Sequence, residues 1–126
     1  MPENRSRKHH QERLGDALRE EIASIVEGEL ADPRITPASV SEVHLASHGR
    51  IAYVWVAVHG GNEAQARSAL DGLTAAKNYI RHEVAQRLGL RTAPEIIFEL
   101  DRAFETRIDE LLHRISKRKR SDAAKE

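Results

Sequence analysis

Seven histidines carry the most varied chemistry in this chain, since a neutral imidazole can ligate a metal or move a proton. Spacing decides whether they do either. His44 and His48 stand four apart, but they fall in a strand and turn, where that separation does not align two ligands as it would on a helix. His82-Glu83 begins like a zinc-protease helix, yet Gln86 occupies the place of the second histidine. His9 and His10 sit in a charged tail. No metal is expected. The absence of cysteine removes disulfides, thiolate zinc sites and thiol nucleophiles together. None of the serines stands in a glycine-flanked elbow. Acidic pairs such as Glu20-Glu21 and Asp109-Glu110 lie in amphipathic patterns, where a solvated face accounts for them. No glycine-rich phosphate loop precedes a helix. The chain therefore reads as a non-enzyme with no cofactor and no small-molecule substrate.

What remains is charge and two aromatics. Lys+Arg and Asp+Glu both total 20, so the net charge is zero, but the distribution is uneven. Residues 1–13 hold four basic and two acidic residues, and residues 113–126 hold six and two. The body between them has ten basic against sixteen acidic. Basic ends on an acidic body suit a polyanionic partner; solvated tails that keep a small protein in solution are the plainer reading. Tyr53 and Trp55 share one face of a strand and could stack unpaired bases. Alternatively they pack under another element, for which an amphipathic C-terminal helix is available.

The elements that must position these residues follow from periodicity. Leu14, Leu18, Ile22, Ile25, Val26 and Leu30 form a helical stripe, which Asp32-Pro33 ends because the residue before proline is pushed from helical backbone. Val43 and Leu45 alternate in a first strand, and His48-Gly49-Arg50 makes a turn. Ile51–Val58 is a β-branched and aromatic strand whose even positions suit a core. Glu63 to Leu88 is helical again. As one straight rod it would span roughly 39 Å at about 1.5 Å per residue, against a radius of gyration near ~14 Å. A break is expected at Gly72 or at Ala76-Lys77-Asn78, and Gly89 caps the end. A third strand holds Ile96, Phe98 and Leu100, and a last helix holds Phe104, Ile108, Leu111, Leu112 and Ile115. The 126 residues make one domain without internal repeats. Its longest apolar run, eight residues at Ile51–Val58, falls far short of the roughly 20 a membrane span needs. No secretory pattern is visible, so a cytoplasmic location is expected.

Four strings in order complete the pattern: Glu29-Leu30-Ala31-Asp32-Pro33-Arg34; the strand Ala52–Val58; Asn78-Tyr79-Ile80-Arg81 followed by Leu90-Arg91-Thr92-Ala93-Pro94-Glu95-Ile96 and Phe98; and Arg107-Ile108-Asp109-Glu110-Leu111-Leu112. From about Arg13 to Ile115 the chain resembles the bacterial ribosome-binding factor A family. The resemblance implies an α+β, type-II KH-like domain, α-β-β-α-kink-α-β, with an added C-terminal helix and basic tail. Residues 1–12 would be a flexible basic arm, 13–116 the domain and 117–126 a flexible basic tail. It implies a non-enzymatic monomer that binds the free 30S subunit and assists late 16S rRNA maturation near the 5′-terminal helix region, including in the cold. The family replaces the Gly-x-x-Gly loop of KH domains with a kink marked Ala-x-Gly. Here Ala76, Lys77 and Asn78 match it, with asparagine in place of glycine. Asparagine tolerates irregular backbone, so Asn78→Gly is expected to keep the fold, and to stabilise it if the local φ is positive.

Lys77, Arg81, Arg87 and Arg91 cluster in sequence around this kink, and Lys117, Arg118, Lys119 and Arg120 follow the last helix. Such cations position a protein on RNA without reading sequence. With Asn78 they form the expected RNA-binding set. The rival expectation is a module that docks on ribosomal proteins without touching RNA.

Overall fold

A computed structural model describes residues 2–35, 37–60, 62–102 and 110–117, with side chains from residue 10 onward. Helix α1 spans Pro2–Ser24. It therefore begins ahead of residue 13, and the backbone of the expected arm is helical; proline suits a first helical position because its missing N–H needs no partner. Leu18 and Ile22 of α1 are buried, and Ile25 and Val26 follow them in a π-helical turn, Ile25–Glu29. The five-residue step closes with the Leu30 N–H donating to the Ile25 carbonyl at 3.1 Å. Leu30 is already extended, at φ −82° and ψ 123°. The helix thus ends in a widened turn just before Asp32-Pro33.

Strand β1 (Ala38–Ala46) pairs antiparallel with β2 (Ile51–Val58), which pairs in parallel with β3 (Glu95–Leu100). The parallel pair needs a crossover, and helices α2 (Glu63–Ala75) and α3 (Lys77–Leu88) supply it. In β1 the register shifts between Val40 and Glu42. Because of this bulge, Val40 opposite Val56 and Val43 opposite Val54 both face the helices, although three residues apart. Ala52, Val54, Val56 and Val58 are buried to within 2% exposure, so the even positions of β2 line the core as their pattern predicts. Tyr53 and Trp55 lie half-buried on the other face, in the rows His44–Tyr53–Ile97 and Glu42–Trp55–Glu99. Residues 110–117 are helical, but Leu111, Leu112 and Ile115 leave about half their surface in solvent, at 52, 58 and 45% exposure. Phe104 and Ile108 lie outside the described residues.

The long helical stretch is broken at Ala76, whose φ of −86° and ψ of 0° leave the helical well for the bridge region. The Ala76 N–H still reaches the Gly72 carbonyl, and its own carbonyl accepts from the Ile80 N–H. Gly72, the other candidate for the break, lies buried inside α2 instead. Asn78 belongs to α3, and positive φ outside glycine occurs only at Ser47 and His48 among the described residues. The condition under which glycine would stabilise position 78 is therefore not met. At the far end, Gly89 at φ 64° lets the Leu90 N–H reach the Ala85 carbonyl and its own N–H reach Gln86, a Schellman stop.

Candidate nucleic-acid interface

Both ends of α3 are tied down by its own cations. At its start, Lys77 Nζ lies 3.8 Å from Oε1 of Glu95, the first residue of β3. One turn on, the Arg81 guanidinium donates to the carbonyls of Pro94 (Nε, 3.0 Å) and Ala93 (Nη2, 3.2 Å). It thereby staples the loop entering β3 to the helix. In the last turn, Arg87 donates to both carboxylate oxygens of Glu29, with Nη1 to Oε2 at 2.7 Å. Glu21 and Glu83 stand 3.5 and 3.4 Å from the same guanidinium.

These contacts separate the expected RNA-binding residues. Lys77, Asn78 and Arg81 lie together beside the kink, and Arg91 stands exposed in the loop that Arg81 holds. Arg87 is apart from them, in a cage of three carboxylates. That hydrogen-bonded guanidinium holds the Glu29 carboxyl below its ordinary value of 4.5, and Glu29 in turn raises Arg87. A cation neutralised at contact distance projects little field toward a distant phosphate. Its position, between the end of α1 and α3, is that of a tie between helices. Lys117 is exposed at the end of the C-terminal helical segment, while Arg118, Lys119 and Arg120 lie outside the described residues.

The Asp-Pro-Arg string has a local explanation. Arg34 donates to both carboxylate oxygens of Asp32, at 3.2 Å (Nε to Oδ1) and 2.8 Å (Nη2 to Oδ2), and its backbone N–H also donates to Asp32 Oδ1 at 3.0 Å. These bonds keep the Asp32 carboxyl below its ordinary range. The loop so closed packs on α2 at Gly72. Sequence reasoning did not single out Tyr79, an aromatic 48% exposed one residue past Asn78. The available signal was its place outside the apolar stripe of Ile80 and Val84. Along the groove between α1 and β1 stand Glu12, Asp16 and His44. Among the described residues no group of three or more His, Cys, Asp or Glu is placed to hold a metal ion. No helix among them is long and apolar enough to cross a membrane.

Order of elements, mixed sheet and broken crossover helix define an α+β domain of the type-II KH-like class, with cations gathered beside the break. Ribosome-binding factor A is the family whose pattern matches residues 10–112. A ribosome-binding factor A from Koribacter versatilis is 58% identical over 121 residues, covering 94% of this chain and 98% of that protein. The crystal structure of ribosome-binding factor A from Thermus thermophilus is 28% identical, with a TM-score of 0.56, covering 75% of this chain and 93% of its own. Coordinates of the Thermus thermophilus factor fitted into a cryo-EM map of its complex with 30S are also 28% identical. They give a TM-score of 0.60 over 71% of this chain and 93% of theirs. The chain belongs to the ribosome-binding factor A family.

Proposed function

We propose that this chain binds the free 30S ribosomal subunit and assists late maturation of its 16S rRNA near the 5′-terminal helix region. It acts in the cytoplasm as a non-enzymatic monomer, and supports growth in the cold. The observation that carries this reading is the family match over residues 10–112, joined to likeness with coordinates fitted into a 30S complex. Lys77, Asn78, Arg81 and Arg91 contact RNA backbone in this reading, and the tail from Lys117 through Arg120 adds an arm that follows phosphates. Arg87 serves instead to hold α3 on α1, because its charge is already matched by Glu29, Glu21 and Glu83. Sedimentation tests the proposal: the protein should travel with free 30S subunits and much less with joined ribosomes at equal salt. Equal or stronger association with joined ribosomes would overturn it.

A second reading has one observation in its favour: Lys77, Arg81 and Arg87 already have protein partners. In that reading the chain docks on ribosomal proteins. Binding to protein-free 16S rRNA, competed by phosphate-rich RNA, separates the two.

A further inference from the structure

We infer that the tip of the β1–β2 hairpin, Ser47–Arg50, is a second phosphate-contacting element, with Arg50 as its cation. It would bind the backbone of a folded RNA that also lies on the kink. The inference rests on the RNA-binding reading above and extends it to a part of the fold that reading does not use.

Register places the tip. The hairpin closes on the pair Ala46–Ile51, and Ile51 is opposite Glu95 on β3. The Glu95 N–H donates to the Arg50 carbonyl at 2.8 Å, so the backbone of Arg50 is fixed to the first residue of β3. Lys77 reaches the side chain of that same Glu95, and Arg81 holds the carbonyls of Ala93 and Pro94 just before it. Hairpin tip, kink and the loop into β3 therefore meet around Pro94-Glu95. The segments 47–50, 76–82 and 89–95 contain Arg50, Lys77, Arg81 and Arg91 but a single acidic residue, Glu95. In a chain of zero net charge, basic residues outnumber acidic ones by three within these segments.

The four cations are not equivalent. Lys77 and Arg81 are already engaged, whereas Arg50 and Arg91 are exposed and neither is in an ion pair among the described residues. Those two can exchange water and counterions for phosphate without first giving up a contact within the chain, as Lys77 and Arg81 must. The tip is also shaped rather than slack. Ser47, His48 and Gly49 all have positive φ, at 53°, 57° and 82°. Backbone hydrogen bonds from Gly49 to Ala46 and from Arg50 to Ser47 lock it, each at 3.2 Å. A preorganised tip presents its side chains at little further entropic cost on binding.

The experiment titrates purified 30S subunits with the full chain and with Arg50→Gln, Arg91→Gln and Arg19→Gln at several KCl concentrations. Arg19 is an exposed cation on α1, outside this end of the sheet. Loss of one phosphate contact should flatten the slope of log affinity against log salt by about 0.7 to 0.9. We expect that change for Arg50→Gln and Arg91→Gln and none for Arg19→Gln, with thermal midpoints alike. A flattened slope for Arg91→Gln with an unchanged one for Arg50→Gln would overturn the hairpin assignment and leave RNA binding at the kink intact. Weaker binding of Arg50→Gln with a parallel slope would also overturn it, because the contact would then be with protein. No binding by the unaltered chain at any salt would remove the RNA-binding reading and this inference together.

Discussion

Gly72 on α2 and Ile35 in the loop after α1 approach so closely that a Cβ added to Gly72 would stand 3.0 Å from Ile35 Cγ1. Asp32 Oδ2 would be 3.3 Å from it. Ile35 is 1% exposed and has no open side to move into. Glycine inside an ordinary helix costs about 1 kcal/mol relative to alanine, so Gly72→Ala would normally stabilise. Here the overpacking cost, about 1–3 kcal/mol, outweighs that gain. We expect a net loss on the order of 1 kcal/mol, read as a lower urea midpoint with an unchanged slope. A stabilised Gly72→Ala would show that the loop yields easily.

Glycine should help at Ser47 and harm at Asn78. Ser47 sits at φ 53°, where an L side chain is strained and glycine is not. Ser47→Gly should therefore raise stability by several tenths of a kcal/mol up to about 1. Asn78 lies in the helical backbone of α3, so Asn78→Gly keeps the fold but loses a few tenths of a kcal/mol through helix propensity. Chemical denaturation of both variants checks the pair of opposite signs.

The Arg87–Glu29 pair should make stability sensitive to acid. Arg87 depresses the Glu29 carboxyl below 4.5 in the folded state. A depressed carboxylate contributes stability above its unfolded pKa and loses it as pH falls through the folded value. The Tm difference between the unaltered chain and Glu29→Gln should be present at pH 7, shrink below about pH 4.5, and vanish in stronger acid. High salt should narrow it at pH 7, since the pair is exposed. A difference that persists at pH 2 would assign the effect to packing rather than charge.

Removing residues 117–126 should leave the fold alone and weaken binding. Lys117 through Arg120 come after Ile115, the last apolar position of the final helix pattern, so the cut should uncover no core, and surface changes stay within about 0.5 kcal/mol. If two or three of Lys117, Arg118, Lys119 and Arg120 touch rRNA, the salt slope should flatten by roughly two to three units. Titration of both chains against 30S subunits at several salt concentrations measures it. Parallel lines would place the tail in solvent.

Local order was legible in the residues alone. Alternation in Ile51–Val58 decides which face of β2 is core, because side chains on a strand alternate between its two faces. The length of Glu63–Leu88 demands a break, since a straight helix outruns a domain of this size. Cysteine absence and histidine spacing weigh against several chemistries before any fold is known. Three things needed the tertiary structure. The bulge at Ser41 reverses the parity of β1, and only pairing with β2 reveals that Val40 and Val43 share a face. Gly72 is a packing site rather than the break because Ile35, distant in sequence, comes to lie against it. Charge had the least legible fate. Lys77, Arg81, Arg87 and Arg91 are equal as letters, but long-range contacts give Arg87 to Glu29 and Arg81 to two carbonyls while leaving Arg91 exposed. A cation's availability depends on which partners the fold brings within reach, and partners 58 residues apart, as Arg87 and Glu29 are, leave no mark in local spacing.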